Sequence, residues 1–97
     1  MREAVNKLKD TLSGRGKVIC EFTGDCYLCF LKLDKGWYTV AISQGKSLYA
    51  KIAPYEKVAM AQNCEEVLAS PIGLYVFSDD PEELVNDIIT KVGKLRG

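Results

Sequence analysis

Between Lys17 and Ile52, apolar and polar residues alternate in four short runs, Lys17 to Thr23, Cys26 to Asp34, Trp37 to Ser43 and Ser47 to Ile52, with a glycine in each intervening turn. β-Branched and aromatic residues fill the runs, so the period of two predicts a β-meander. Adjacent strands must place their apolar residues on one face of the sheet, and this tests each register. A Gly24-Asp25 turn opposes Phe22 with Tyr27 and Cys20 with Cys29. A Lys35-Gly36 turn opposes Leu33 with Tyr38 and Leu31 with Val40, and a three-residue Gln44-Gly45-Lys46 loop opposes Ile42 with Leu48 and Val40 with Ala50.

One face of this sheet carries Val18, Cys20, Phe22, Tyr27, Cys29, Leu31, Leu33, Tyr38, Val40, Ile42, Leu48, Ala50 and Ile52, without a charge. That face is the expected core. The opposite face mixes Glu21, Lys32 and Lys51 with Ile19, Leu28, Phe30, Trp37 and Tyr49, too apolar for a plain solvated surface. Either helices cover both sides of the sheet, or something outside the chain covers Leu28, Phe30, Trp37 and Tyr49.

Helical spacing frames the meander. Val5, Leu8 and Leu12 form the stripe of an N-terminal helix over Glu3 to Leu12, and Ser13-Gly14-Arg15-Gly16 stops it. A phosphate-loop reading of Ser13 to Lys17 has the order of elements reversed, because such a loop follows a strand and opens a helix. Asn63 followed by Glu66 is a capping box for a short helix, Cys64 to Ala69, which Ser70-Pro71 ends, and Ile72 to Phe77 reads as a fifth strand. Asp80 as N-cap, Pro81 at the first helical position and Glu82-Glu83 in the first turn open a C-terminal helix with the stripe Leu84, Val85, Ile88, Ile89, Val92 and Leu95. Residues 53–62 fit a helix slightly better than a strand and have no clear period.

These elements fit one α+β domain over residues 1–97: an antiparallel meander sheet of about five strands, with N-terminal, short central and C-terminal helices packed mainly on the uncharged face. The net charge of zero gives no general attraction to nucleic acid or anionic lipid, although Met1 to Lys57 carries ten basic and six acidic residues and Val58 to Gly97 three and seven. No apolar run reaches the ~18 residues of a membrane span. The expectation is a cytoplasmic protein that binds neither nucleic acid nor membrane.

The chain has no histidine, which removes Ser-His and Cys-His nucleophile pairs and imidazole acid–base catalysis. Its clustered carboxylates, Glu65 with Glu66 and Asp79 to Glu83, stand where helix starts favour negative charge. No enzyme and no cofactor are therefore expected. Cys26 and Cys29 have the Cys-x-x-Cys spacing, but on a strand they point to opposite faces and do not grip one metal. Cys20 and Cys29 stand directly opposite each other, where a cross-strand disulfide is possible, while reduced thiols packed as small apolar groups suit a reducing cytoplasm better.

Tyr38, Val40, Ile42, Gly45-Lys46, Leu48, Ala50, Glu65-Glu66-Val67-Leu68, Gly73, Tyr75 and Phe77 follow one another in an order of helix, meander, short acidic helix and aromatic strand. This order resembles PATAN-type domains and related archaeal families. The resemblance implies an interaction module without a catalytic motif. The expected function is protein–protein interaction, including self-association as a homo-oligomer, with Leu28, Phe30, Trp37 and Tyr49 as interface candidates; the alternative is a small-ligand or cysteine-metal binding domain.

Overall fold

The computed structural model describes residues 1–33 and 36–96. Helix α1 (Arg2–Leu12) leads into strands β1 (Lys17–Thr23), β2 (Cys26–Leu33), β3 (Gly36–Gln44) and β4 (Leu48–Pro54). A single 3₁₀ turn (Tyr55–Lys57), helix α2 (Cys64–Ala69), strand β5 (Leu74–Phe77) and helix α3 (Pro81–Arg96) follow. All five strands form one antiparallel sheet in chain order, with β1 and β5 at its edges. This is the α+β meander that the alternation predicts.

The first hairpin has the predicted register, Cys20 opposite Cys29 and Phe22 opposite Tyr27. The next two are each displaced by two residues: Leu31 faces Tyr38 and Leu33 faces Gly36, while Ile42 faces Ala50 and Gln44 faces Leu48. Of the predicted Lys35-Gly36 turn, Lys35 lies outside the described residues, and Gly36 is not in a turn but begins β3 opposite Leu33. The third loop is Gly45 to Ser47, closed by the Gly45 N–H donating to the Ser47 carbonyl at 3.0 Å. A displacement of two leaves every side chain on its own face, so both faces keep the membership read from the sequence.

The uncharged face is the main core. Val5, Leu8 and Leu12 of α1 and Leu84, Val85, Ile88 and Val92 of α3 close over Cys29, Leu31, Val40, Ile42, Ala50 and Ile52, all buried. The two helices also touch one another. Phe22 departs from expectation: it lies beyond the helices, exposed, with its ring edge-on to Tyr27 at 5.0 Å. Helix α3 begins as its sequence dictates, the Asp80 carboxylate accepting from the Glu82 N–H at 3.0 Å.

Helix α2 corrects the expected layering, because it packs on the mixed face and not on the uncharged one. Val67 and Cys64 form a second, smaller core with Cys26, Leu28 and Ala41. Asn63 caps the helix through Oδ1, which accepts from the Glu66 N–H at 2.9 Å, and the Glu66 carboxylate in turn accepts from the Gln62 N–H. This is the predicted capping box, reaching back one residue further. The chain turns into β5 at Gly73, whose φ of 122° suits glycine, and a Cβ there would stand 2.7 Å from the Ile52 carbonyl oxygen.

Candidate functional site

The mixed face is divided in two by the segment that joins β4 to β5. Over its middle, α2 buries Leu28 to 4 % exposure, so this residue, expected at an interface, belongs to the chain's own second core. The physical cause is connectivity: the link from β4 to β5 crosses the mixed face, and its apolar residues Val58, Cys64 and Val67 are buried.

Toward the β1 edge the same face stays open. Ile19 of β1, Phe30 of β2, Trp37 of β3 and Tyr55 of the 3₁₀ turn line a shallow groove of about 400 Å³. Ile19 is 57 % exposed and Trp37 38 %. Tyr55 stands edge-on to Phe30 with ring centroids 6.0 Å apart, and the Lys32 ammonium lies 5.9 Å from the centre of the Trp37 ring. Thr39 of β3 lies opposite Phe30 and is buried, its hydroxyl without a hydrogen-bond partner among the described residues. Two interface candidates, Phe30 and Trp37, are thus brought together, and Ile19 and Tyr55 join them. The alternation of β1 places Ile19 on this face, whereas Tyr55 carries no signal because its segment lacks a period.

The fourth candidate, Tyr49, lies elsewhere. It is half-buried at the far side of the sheet and stacks on Phe77 at 5.8 Å, with Tyr75 stacked on Phe77 at 6.0 Å. Between this aromatic ladder and α2 runs the Lys51 side chain, 1 % exposed. Its ammonium lies 5.0 Å from the centre of the Tyr75 ring and donates to the carbonyls of Ser70 and Leu68, the second at 3.5 Å. Burial lowers the Lys51 pKa from its usual 10.5. The Tyr75 hydroxyl donates to the same Leu68 carbonyl. Lys51 and Tyr75 thus satisfy the C-terminal carbonyls of α2, a fixing of the helix end to the sheet.

All four cysteines are paired. Cys20 and Cys29 form the cross-strand disulfide that their register allows, with Cα atoms 4.0 Å apart. Cys26 and Cys64 form a second bridge, from β2 to the first residue of α2, with Cα atoms 6.3 Å apart. The preference for packed thiols is therefore corrected. Cys26 and Cys29 do point to opposite faces, as a period of two requires, and each bonds a different partner. Sequence reasoning missed the second bridge because nothing in the alternation places Cys64 over β2. The Cys64 N–H also meets the Thr23 hydroxyl at 3.4 Å, so the start of α2 is tied to the β1–β2 hairpin twice.

Comparison with family models, curated proteins and solved structures finds no match. The site is therefore read from its own chemistry. Among the described residues, no group of three or more His, Cys, Asp or Glu side chains is placed to hold a metal ion. No described helix is long and apolar enough to cross a membrane.

Proposed function

We propose that this chain is a protein–protein interaction module that associates with a second copy of itself through the open part of the mixed face. The observation that supports this reading is the convergence of Ile19, Phe30, Trp37 and Tyr55, from four separate elements, on one apolar groove at the edge of the sheet. An aromatic and aliphatic patch with a charged rim, here Lys17, Glu21 and Lys32, has the composition of a contact surface. The resemblance to PATAN-type domains points the same way.

Two disulfides in a chain proposed to work in the cytoplasm fit the intracellular proteins of hyperthermophiles, where such bridges are common. No role for nucleic acid is proposed.

The double substitution Phe30→Ser with Trp37→Ser tests the reading. Neither side chain lies in the main core, so the variant should keep the circular dichroism and cooperative unfolding of the parent. Its self-association, measured by sedimentation equilibrium, should be weakened at least about tenfold, the scale of losing one aromatic contact of ~1.4 kcal/mol or more. A variant that unfolds like a core mutant, or one that associates as strongly as the parent, contradicts the reading.

A further inference from the structure

The groove runs off the sheet at β1, and that edge is open. Among the described residues, no strand pairs with the outer side of β1, and no backbone–backbone bond other than those of the β2 ladder reaches Lys17–Thr23. The close approach of Cys20 and Cys29, Cα atoms 4.0 Å apart, marks them as a non-hydrogen-bonded pair. By the alternation of an antiparallel ladder, Val18, Cys20 and Phe22 then point their N–H and C=O groups outward, away from β2. An edge of this kind is a template for another strand.

Its side chains restrict which strand fits. Lys17, Ile19 and Glu21 share the mixed face, and all three are exposed. Inside the sheet Lys17 has a like charge beside it, since it lies directly opposite Lys32, and Glu21 has the apolar Leu28. Among the described residues, neither charge has an opposite charge directly across the ladder. For a second β1 arriving antiparallel, the outward groups of Val18, Cys20 and Phe22 must meet their own kind, so residues of equal parity face one another. The register centred on Ile19 sets Lys17 against Glu21 of the other copy, and Glu21 against its Lys17, both as close, non-hydrogen-bonded pairs. Moving one step either way puts a charged residue opposite Ile19.

Resting on the reading that the chain self-associates, we propose that two copies pair β1 to β1, antiparallel and centred on Ile19, to form one continuous ten-stranded sheet with two Lys17–Glu21 ion pairs across the seam. The two Ile19 side chains meet on the twofold axis. They join the two apolar grooves into a single trough floored by Ile19 and Phe30 of both copies. Val18 exchanges both of its backbone hydrogen bonds with Cys20 of the other copy, and Cys20 with its Val18. The contact is isologous and therefore closes at a dimer.

Charge reversal tests this register. Lys17→Glu alone and Glu21→Lys alone each place like charges opposite one another at both ends of the seam, and each should weaken homodimerisation at least about tenfold. Mixed in equal amounts, the two variants should recover association, because Glu at 17 then faces Lys at 21 and Lys at 17 faces Glu at 21. Both positions are exposed, so both variants fold, which circular dichroism checks. In the unaltered protein, the amides of Val18, Cys20 and Phe22 should exchange more slowly with solvent as concentration rises. Single variants that dimerise like the parent, or a mixture that does not recover, overturn the edge register. If Phe30→Ser with Trp37→Ser then still dissolves the dimer, the groove reading stands without it. A parent that never associates overturns both.

Discussion

Replacing Leu31 and Val40 together by serine should leave a chain that does not fold, with the far-ultraviolet circular dichroism of a disordered peptide. Both side chains are fully buried in the main core between the sheet and the helix pair α1 and α3. Truncation of buried aliphatic side chains costs roughly 2–5 kcal/mol each, and every serine adds a hydroxyl with no partner to bond. The joint loss, on the order of 5–8 kcal/mol, matches or exceeds the whole stability of many domains of this size. Phe30 lies directly beside Leu31 in sequence but on the opposite face. Its serine variant, even combined with Trp37→Ser, should fold. Finding the two double variants equally stable by urea denaturation would mean that the faces have been assigned wrongly.

The second large effect concerns the bridge between β2 and α2. Cys26 and Cys64 are 38 residues apart in sequence, so the link constrains a long loop of the unfolded chain. The chain-entropy relation gives about 4 kcal/mol for a loop of that length. The Cys20–Cys29 bridge, with a separation of 9, gives about 2.6 kcal/mol on the same relation. Changing Cys26 and Cys64 together to alanine should therefore lower the unfolding free energy by about 2–4 kcal/mol, the larger of the two bridge effects. The sheet should survive, because the main core is untouched. Helix α2 should be held more loosely: it has only six residues, too few to persist alone, and its remaining anchors are Val67, the Cys64 N–H bond to the Thr23 hydroxyl and the contacts from Lys51 and Tyr75. Faster amide exchange confined to α2, with protection kept in β2 and β3, is the expected pattern. An unchanged midpoint in urea together with unchanged exchange in α2 would show that the bridge does not hold the helix.

The sequence makes the faces of this sheet legible and its registers only in part. Parity decides which side each residue points to, and a displacement by two residues satisfies the same parity. This is why Leu31 opposite Val40 and Leu31 opposite Tyr38 are equally consistent with the pattern; the structure has the second. Helices α1 and α3 follow from their single apolar stripes, and the start of α3 from its Asp80-Pro81 sequence. The path of residues 53–62 has no such signal: one 3₁₀ turn and an irregular stretch bury Val58 and leave Met60 exposed. That stretch decides where α2 lands. Hence Leu28 passes from interface candidate to second core, Tyr55 enters the groove, and Cys64 meets Cys26, all through one aperiodic connection.

Phe30 and Trp37 are legible as surface aromatics because alternation puts them opposite the core; among the described residues neither is fully covered, Phe30 being half-buried against the second core. Their grouping with Ile19 depends on the ladder itself: Ile19 lies opposite Phe30, and Trp37 opposite Lys32, so the residues fall in adjacent rows of one face. Tyr49 shares their face but stands across the sheet beside Phe77, separated from them by α2 and Lys51. A face read from sequence is therefore one surface only until a connection crosses it.

Self-association through the open edge of the mixed face is tested most directly by the mass of the unaltered protein in solution. Sedimentation equilibrium from the micromolar to the millimolar range should give a mass that rises to twice that of one chain and goes no further, as an isologous seam requires. A mass that stays at one chain across that whole range would contradict it.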